Sequence, residues 1–242
     1  MSYLSFLRKL FIIFCIVQHS QPATLNCKYE QLYRVYFGYG YHCEVKNLEI
    51  FSNSSTFDAE IGDHKDGKSN SDVVWVIMVE NSINQRSMLS FPKGFKIIYP
   101  NLIAISIMNM GLKRITAEDL KPFPNLQHLI LWKNNLTFIE EDLFKHNPGL
   151  ESLSLSSNQI FHIDPQVLSH LGSLKWLRLE GNRCNGTVEI QDATRRDRVV
   201  NLVKIIEDGN CVNYPVRIQS LKKEIGIWKG KFEECDENVL KN

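Results

Sequence analysis

No charge of one sign dominates this chain: 28 lysines and arginines stand against 27 aspartates and glutamates, for a net charge of +1. That balance gives no electrostatic reason to expect a nucleic-acid partner, and the basic residues do not collect on one segment. Long apolar runs are also missing. The one notable stretch, Leu10 to Val17, is too short to span a bilayer. Catalytic signatures are absent as well: there is no GxSxG elbow, no HExxH, no P-loop and no GxGxxG following a strand. No CxxC or His/Cys cluster has zinc spacing. The expectation is therefore a protein without catalytic residues, cofactor or metal.

What is present is a period. Leu126, Leu129, Leu131, Asn134 and Leu136 form the frame LxxLxLxxNxL, and Leu150, Leu153, Leu155, Asn158 and Ile160 repeat it 24 residues later. Leu174, Leu177, Leu179, Asn182 and Cys184 repeat it again at the same spacing. Upstream, Leu102, Ile105, Ile107 and Leu112 fit with Met110 in the Asn place, and a weaker copy runs through Val73, Val76, Met78, Asn81 and Ile83. The fourth and sixth positions alternate as in a short strand with one buried face, and the Asn turns the chain while its side chain satisfies backbone groups. Each unit can bury its leucines only against its neighbours.

On these residues the chain resembles the leucine-rich repeat family of the 24-residue extracellular type, over residues 73–186. The resemblance implies an α/β repeat solenoid: a short right-handed horseshoe with a parallel sheet on its concave side and disulfide-stapled caps. The order of segments is similar to that of secreted arthropod leucine-rich immune proteins, although here the repeats are few, the cap is reduced and the terminal helix is short. A binding role in innate immunity is what that likeness implies. An extracellular matrix or adhesion protein, or a soluble receptor-like regulator of signalling, is the alternative.

The flanking segments fix the expected compartment. Residues 1–22, with Arg8 and Lys9 ahead of the apolar run, read as a secretory signal peptide. Residues 23–72 read as an N-terminal cap followed by a polar, turn-rich loop from Ser52 to Asp72. Cys27 and Cys43 bracket Tyr33, Tyr36, Phe37, Tyr39 and Tyr41, a stretch that reads as a disulfide-closed hairpin over the start of the solenoid. The resemblance implies a C-terminal cap over residues 187–213, with Cys184 paired to Cys211. In residues 214–242, Ile218, Leu221, Ile225, Trp228, Phe232, Cys235 and Val239 follow a heptad seam. Two readings stay open there: a parallel helix pair locked into a homo- or heterodimer by an intermolecular Cys235 disulfide, or a helix folded back on the solenoid. Sequons at Asn53, Asn135 and Asn185 mark candidate glycosylation sites.

Function is expected on the strand face. The third, fifth and seventh frame positions point outward because the fourth and sixth point in. Those columns bring together Met108, His128, Ile130 and Trp132 as an apolar and aromatic patch, with Trp176 and Arg178 as a second anchor two repeats on. Trp and Arg are enriched where binding energy concentrates. These six residues are the candidate ligand-binding set, for an extracellular protein or glycan. His128 has no acid beside it in these columns, the nearest being Glu180 two repeats away, so it reads as a contact residue and not as a general base.

Overall fold

The computed structural model describes residues 23–34, 38–46, 56–80 and 88–183, all within one compact unit, Pro22–Asn213. The expected signal segment (residues 1–22), Asn53, Asn185, Cys184, Cys211, Cys235, the expected C-terminal cap (residues 187–213) and the heptad pattern of residues 214–242 lie outside the described residues. Ten strands are present among the described residues: β1 (Ala23–Arg34), β2 (Gly38–Val45), β3 (Phe57–Ile61), β4 (Trp75–Val79), β5 (Ala104–Met108), β6 (His128–Ile130), β7 (Phe138–Ile139), β8 (Ser152–Ser154), β9 (His162–Ile163) and β10 (Trp176–Arg178). Eight of them make one sheet in the order β10-β8-β6-β5-β4-β2-β1-β3, and β7 pairs with β9 in a second, two-stranded one.

The repeat frame sets the register. Val76, Ile105, Leu129, Leu153 and Leu177 are successive parallel partners across β4, β5, β6, β8 and β10. All five are buried, together with Leu126, Leu131, Leu150, Leu155, Leu174 and Leu179. Each such side chain contributes roughly 1.5–3 kcal/mol. Only neighbouring repeats supply that burial, so the sheet is stable as an array and not strand by strand.

After β6, β8 and β10 an asparagine stitches one repeat to the one before it. The Asn134 amide donates to the carbonyls of Ile107 (2.7 Å) and Leu131 (3.0 Å), and its oxygen accepts from the Met110 and Leu112 N–H groups at 3.1 and 3.0 Å. Asn158 and Asn182 repeat the pattern one and two units on. The residue before each ladder position is left-handed: Asn109, Lys133, Ser157 and Gly181 have φ of 56°, 56°, 55° and 73°. Asn, Lys and Ser hold the same conformation in the earlier turns, whereas at Gly181 a Cβ would also stand 3.2 Å from both Cα and Oγ of Ser157, a tight approach that glycine avoids.

The return segments are shorter in regular structure than an α/β solenoid implies, which corrects that part of the expectation. Among the described residues they hold α-helical turns of four residues, Phe95–Ile98 and Ala117–Leu120, and a 3-10 segment, Pro165–His170. Ala117–Leu120 starts at Thr116, whose N–H and hydroxyl both donate to the Asp119 carboxylate at 2.8 Å. This capping box is enough for one turn, and the buried Leu120 and Phe123 then carry the chain back to the core. The β7–β9 pair, Phe138 with His162 and Ile139 with Ile163, lines the return side in the next two units.

The N-terminal hairpin extends the sheet. β1 and β2 pair antiparallel, and β2 lies parallel to β4 with His42 opposite Trp75. Cys27 and Cys43 are bridged across the hairpin, with Cα atoms 5.2 Å apart. The Ser52–Asp72 segment, read from sequence as a polar loop, instead contributes β3 alongside β1. Phe57 anchors it: its ring stacks on Phe95 at 5.4 Å, and Gly94 passes so close that any Cβ there would meet the Phe57 carbonyl. Beneath β3 the Tyr29 hydroxyl donates to Glu60 at 2.5 Å and lies 3.0 Å from the Tyr99 hydroxyl, which in turn is 2.9 Å from Cys27 Sγ. Burial, then the Glu60 contact, holds the Tyr29 phenol well above its ordinary pKa, and burial raises that of Tyr99 too. His64 stacks on Tyr29 at 3.9 Å and bonds Tyr41 and Asn70.

Candidate binding face

The parallel register converts the outward columns into rows. One row runs His42, Trp75, Ala104, His128, Ser152 and Trp176; the next runs Glu44, Ile77, Ser106, Ile130, Ser154 and Arg178. Val79 and Met108 open a third row, which by repeat position continues through Trp132, Ser156 and Glu180. Neighbouring strands in such a sheet lie about 4.8 Å apart, so adjacent members of a row are within side-chain reach.

The rows divide into zones. Trp75, Ile77 and Ala104 form a small buried apolar cluster of their own, with Leu32, Val79 and Met108 packed against it. The Trp75 indole N–H donates to Ser106 Oγ at 2.9 Å, tying β4 to β5 on this face, and the His42 ring sits 5.4 Å from the Trp75 ring. Beyond the cluster, Ile130 is half-buried and Trp132 is 41% exposed. Lys133 Nζ lies 5.8 Å from the centre of the Trp132 ring, an exposed cation–π contact. Next comes a hydroxyl zone in which Ser152 and Ser154 are half-buried, Ser156 is buried, and the Ser154 and Ser156 oxygens are 3.4 Å apart. Half-buried Trp176 and exposed Arg178 close the face, beside the Lys175–Glu151 ion pair at 2.7 Å.

The six candidate residues are thus not equivalent. Trp132, Ile130, Trp176 and Arg178 retain accessible surface, whereas Met108 is partly consumed by the Trp75 cluster. His128 is only 3% exposed. Its outward direction is as the alternation requires, but the ring is packed on the sheet and does not form part of the open surface. Burial is the main cause that depresses its pKa, to about 4, with Lys175 lowering it further and Glu151 opposing. Sequence reading left out Leu32, which reaches this face from the hairpin. Its place two residues after Glu30 on β1 was the available signal, since even-numbered β1 residues point away from the buried Cys27 and Tyr29.

Among the described residues no group of three or more His, Cys, Asp or Glu is placed to hold a metal ion. No helix among them is long and apolar enough to cross a membrane. The arrangement is a strand platform with accessible aromatic and cationic groups and half-buried hydroxyls, which suits contact with another molecule's surface.

Residues 124–183 match the family model described as leucine rich repeat. That segment carries the constant period, the parallel sheet and the asparagine ladder described above. Among solved structures, one match is the leucine-rich repeat ectodomain of the receptor kinase SOBIR1 from Arabidopsis thaliana, with 14% identity, 65% of this chain and 79% of that chain covered, and a TM-score of 0.34. No curated protein matches the chain.

Proposed function

We propose that this chain is a secreted, non-enzymatic binding module that recognises an extracellular protein or glycan on the outward face of its parallel sheet. The observation that carries the reading is Trp132, a large aromatic 41% exposed at the end of β6, with Trp176 and Arg178 two repeats away on the same face. Leaving part of an indole in water forgoes a share of the roughly 1.5–3 kcal/mol that full burial of a large apolar side chain contributes, and a partner that covers it recovers that share. Leucine-rich repeat domains generally bind proteins, which supports a protein partner first.

The test is affinity capture from extracellular fluid with the intact protein and with a Trp132→Ala/Trp176→Ala double variant. Bound partner is expected to fall at least about tenfold in the variant, consistent with the loss of two anchors at more than about 1 kcal/mol each. The thermal midpoint is expected to stay within a few degrees. Unchanged capture refutes the reading, and a collapsed midpoint assigns the two indoles to packing instead.

The setting we propose is innate immune recognition, supported by the segment order that resembles secreted arthropod leucine-rich immune proteins. Transcript levels that rise on infection are the expected result. Constant expression through development favours the matrix, adhesion or receptor-like alternative.

A further inference from the structure

We propose that Asn135 carries an N-linked glycan, rooted at the margin of the repeat array beside the binding face. This rests on the secretory reading above. Asn134 and Asn135 are adjacent and chemically identical, yet the fold uses them in opposite ways. Asn134 is buried with both ends of its amide committed to backbone. Asn135 is half-exposed, and among the described residues its side chain makes one hydrogen bond, which its oxygen accepts from Gln159 at 3.4 Å. Among the described residues its amide nitrogen has no partner.

The same residue begins the sequon Asn135-Leu136-Thr137. The backbone there is pinned: the Asn135 N–H donates to the Leu112 carbonyl at 2.8 Å and the Leu136 N–H donates to Asn158 Oδ1 at 3.1 Å. Leu136 is buried, so the side chains of Asn135 and Thr137 fall to the outer side of the turn. Fold and modification therefore make no competing demand on the residue. Asn135 also stands beyond the turn made by left-handed Lys133, off the end of β6, so a sugar attached there borders Trp132 without lying on the strand rows.

In the transfer, a bond forms between Asn135 Nδ2 and the anomeric carbon of an oligosaccharide carried on a lipid pyrophosphate. The bond from that carbon to the pyrophosphate oxygen breaks, the lipid pyrophosphate departs, and the amide gives up one proton to base. No electron changes hands. The product amide keeps its oxygen for Gln159, so the contact seen in the bare protein survives modification.

The experiment is expression of the full chain in a eukaryotic secretory host, followed by recovery from the medium and treatment with peptide N-glycosidase in heavy-oxygen water. The peptide containing Asn135 is expected to gain the deamidation label. The Asn135→Gln and Thr137→Val variants are each expected to lose one glycan from the intact mass while melting at the wild-type temperature. Secreted protein whose Asn135 peptide is unlabelled overturns the proposal and leaves the secretory reading standing. A chain that never reaches the medium overturns both.

Discussion

Replacing Asn158 by alanine is expected to lower the unfolding free energy by about 3–5 kcal/mol. The Asn158 side chain donates to the Leu131 and Leu155 carbonyls, each at 2.9 Å, and accepts from the Leu136 N–H at 3.1 Å. Its neighbours soften part of the loss: Leu131 O still receives Asn134 and Leu155 O still receives Asn182. The Leu136 N–H has no such reserve. It is left buried without an acceptor, at about 1–3 kcal/mol, while the lost hydrogen bonds and the vacated volume supply the rest. Asn158→Asp keeps an oxygen for Leu136 but sets the second carboxylate oxygen against two carbonyls, so it is expected to rescue little. Urea denaturation followed by circular dichroism measures both variants. A loss below about 1 kcal/mol for the alanine would mean that water enters the ladder and replaces the side chain.

That ladder also shows why the repeats could be read from sequence and β3 could not. The frame residues interact at fixed separations, because Asn134, Asn158 and Asn182 each reach back 27 residues to a carbonyl and 22 to an N–H. A constant spacing leaves a constant mark, and Met110 in the Asn place departs from it with a physical substitute. Met110 is fully buried, while Asn109 beside it donates its amide to the Glu80 carbonyl. β3 leaves no such mark. It pairs with β1 across more than 30 residues, and apart from Phe57 its residues, Asp58, Ala59, Glu60 and Ile61, face outward or stay half-open. A strand held by one aromatic anchor and a distant partner has neither the alternation nor the composition that identifies strands locally.

The candidate face was half visible for a related reason. Alternation assigns each residue to a face, and the rows of outward residues follow the parallel register as expected from the repeat positions. What lies beside a residue on that face depends on neighbours that alternation does not name. Trp75 reaches over to Ser106, so Ala104 and Ser106 are as buried as core residues although both point outward. Trp132 has serines next to it, in Ser154 and Ser156 of the following repeat, and remains open. Side-chain size in the adjacent strand, and not direction, decides which outward residue is available to a partner.

His128 carries that distinction into a pH dependence. Its ring points outward yet is buried between Ala104 and Ser152, and its pKa falls to about 4 from an ordinary value near 6.5. The native state therefore favours the neutral ring, while the unfolded chain takes up a proton more readily. The stabilisation is fully present above pH 6.5 and is lost progressively as the pH falls through 6.5 to 4. Integrated over that window it amounts to about 3 kcal/mol, at 1.36 kcal/mol per pH unit of difference. Other groups in the protein also take up protons in acid, so the informative quantity is the difference between wild type and a His128→Gln variant, which retains size and polarity without the titration. Denaturation midpoints measured from pH 7.5 to 4 are expected to converge between the two proteins as the pH drops, with the wild type losing more. Parallel curves would show that the His128 ring reaches solvent, and the open surface around Trp132 would then extend one residue further along the row than the structure places it.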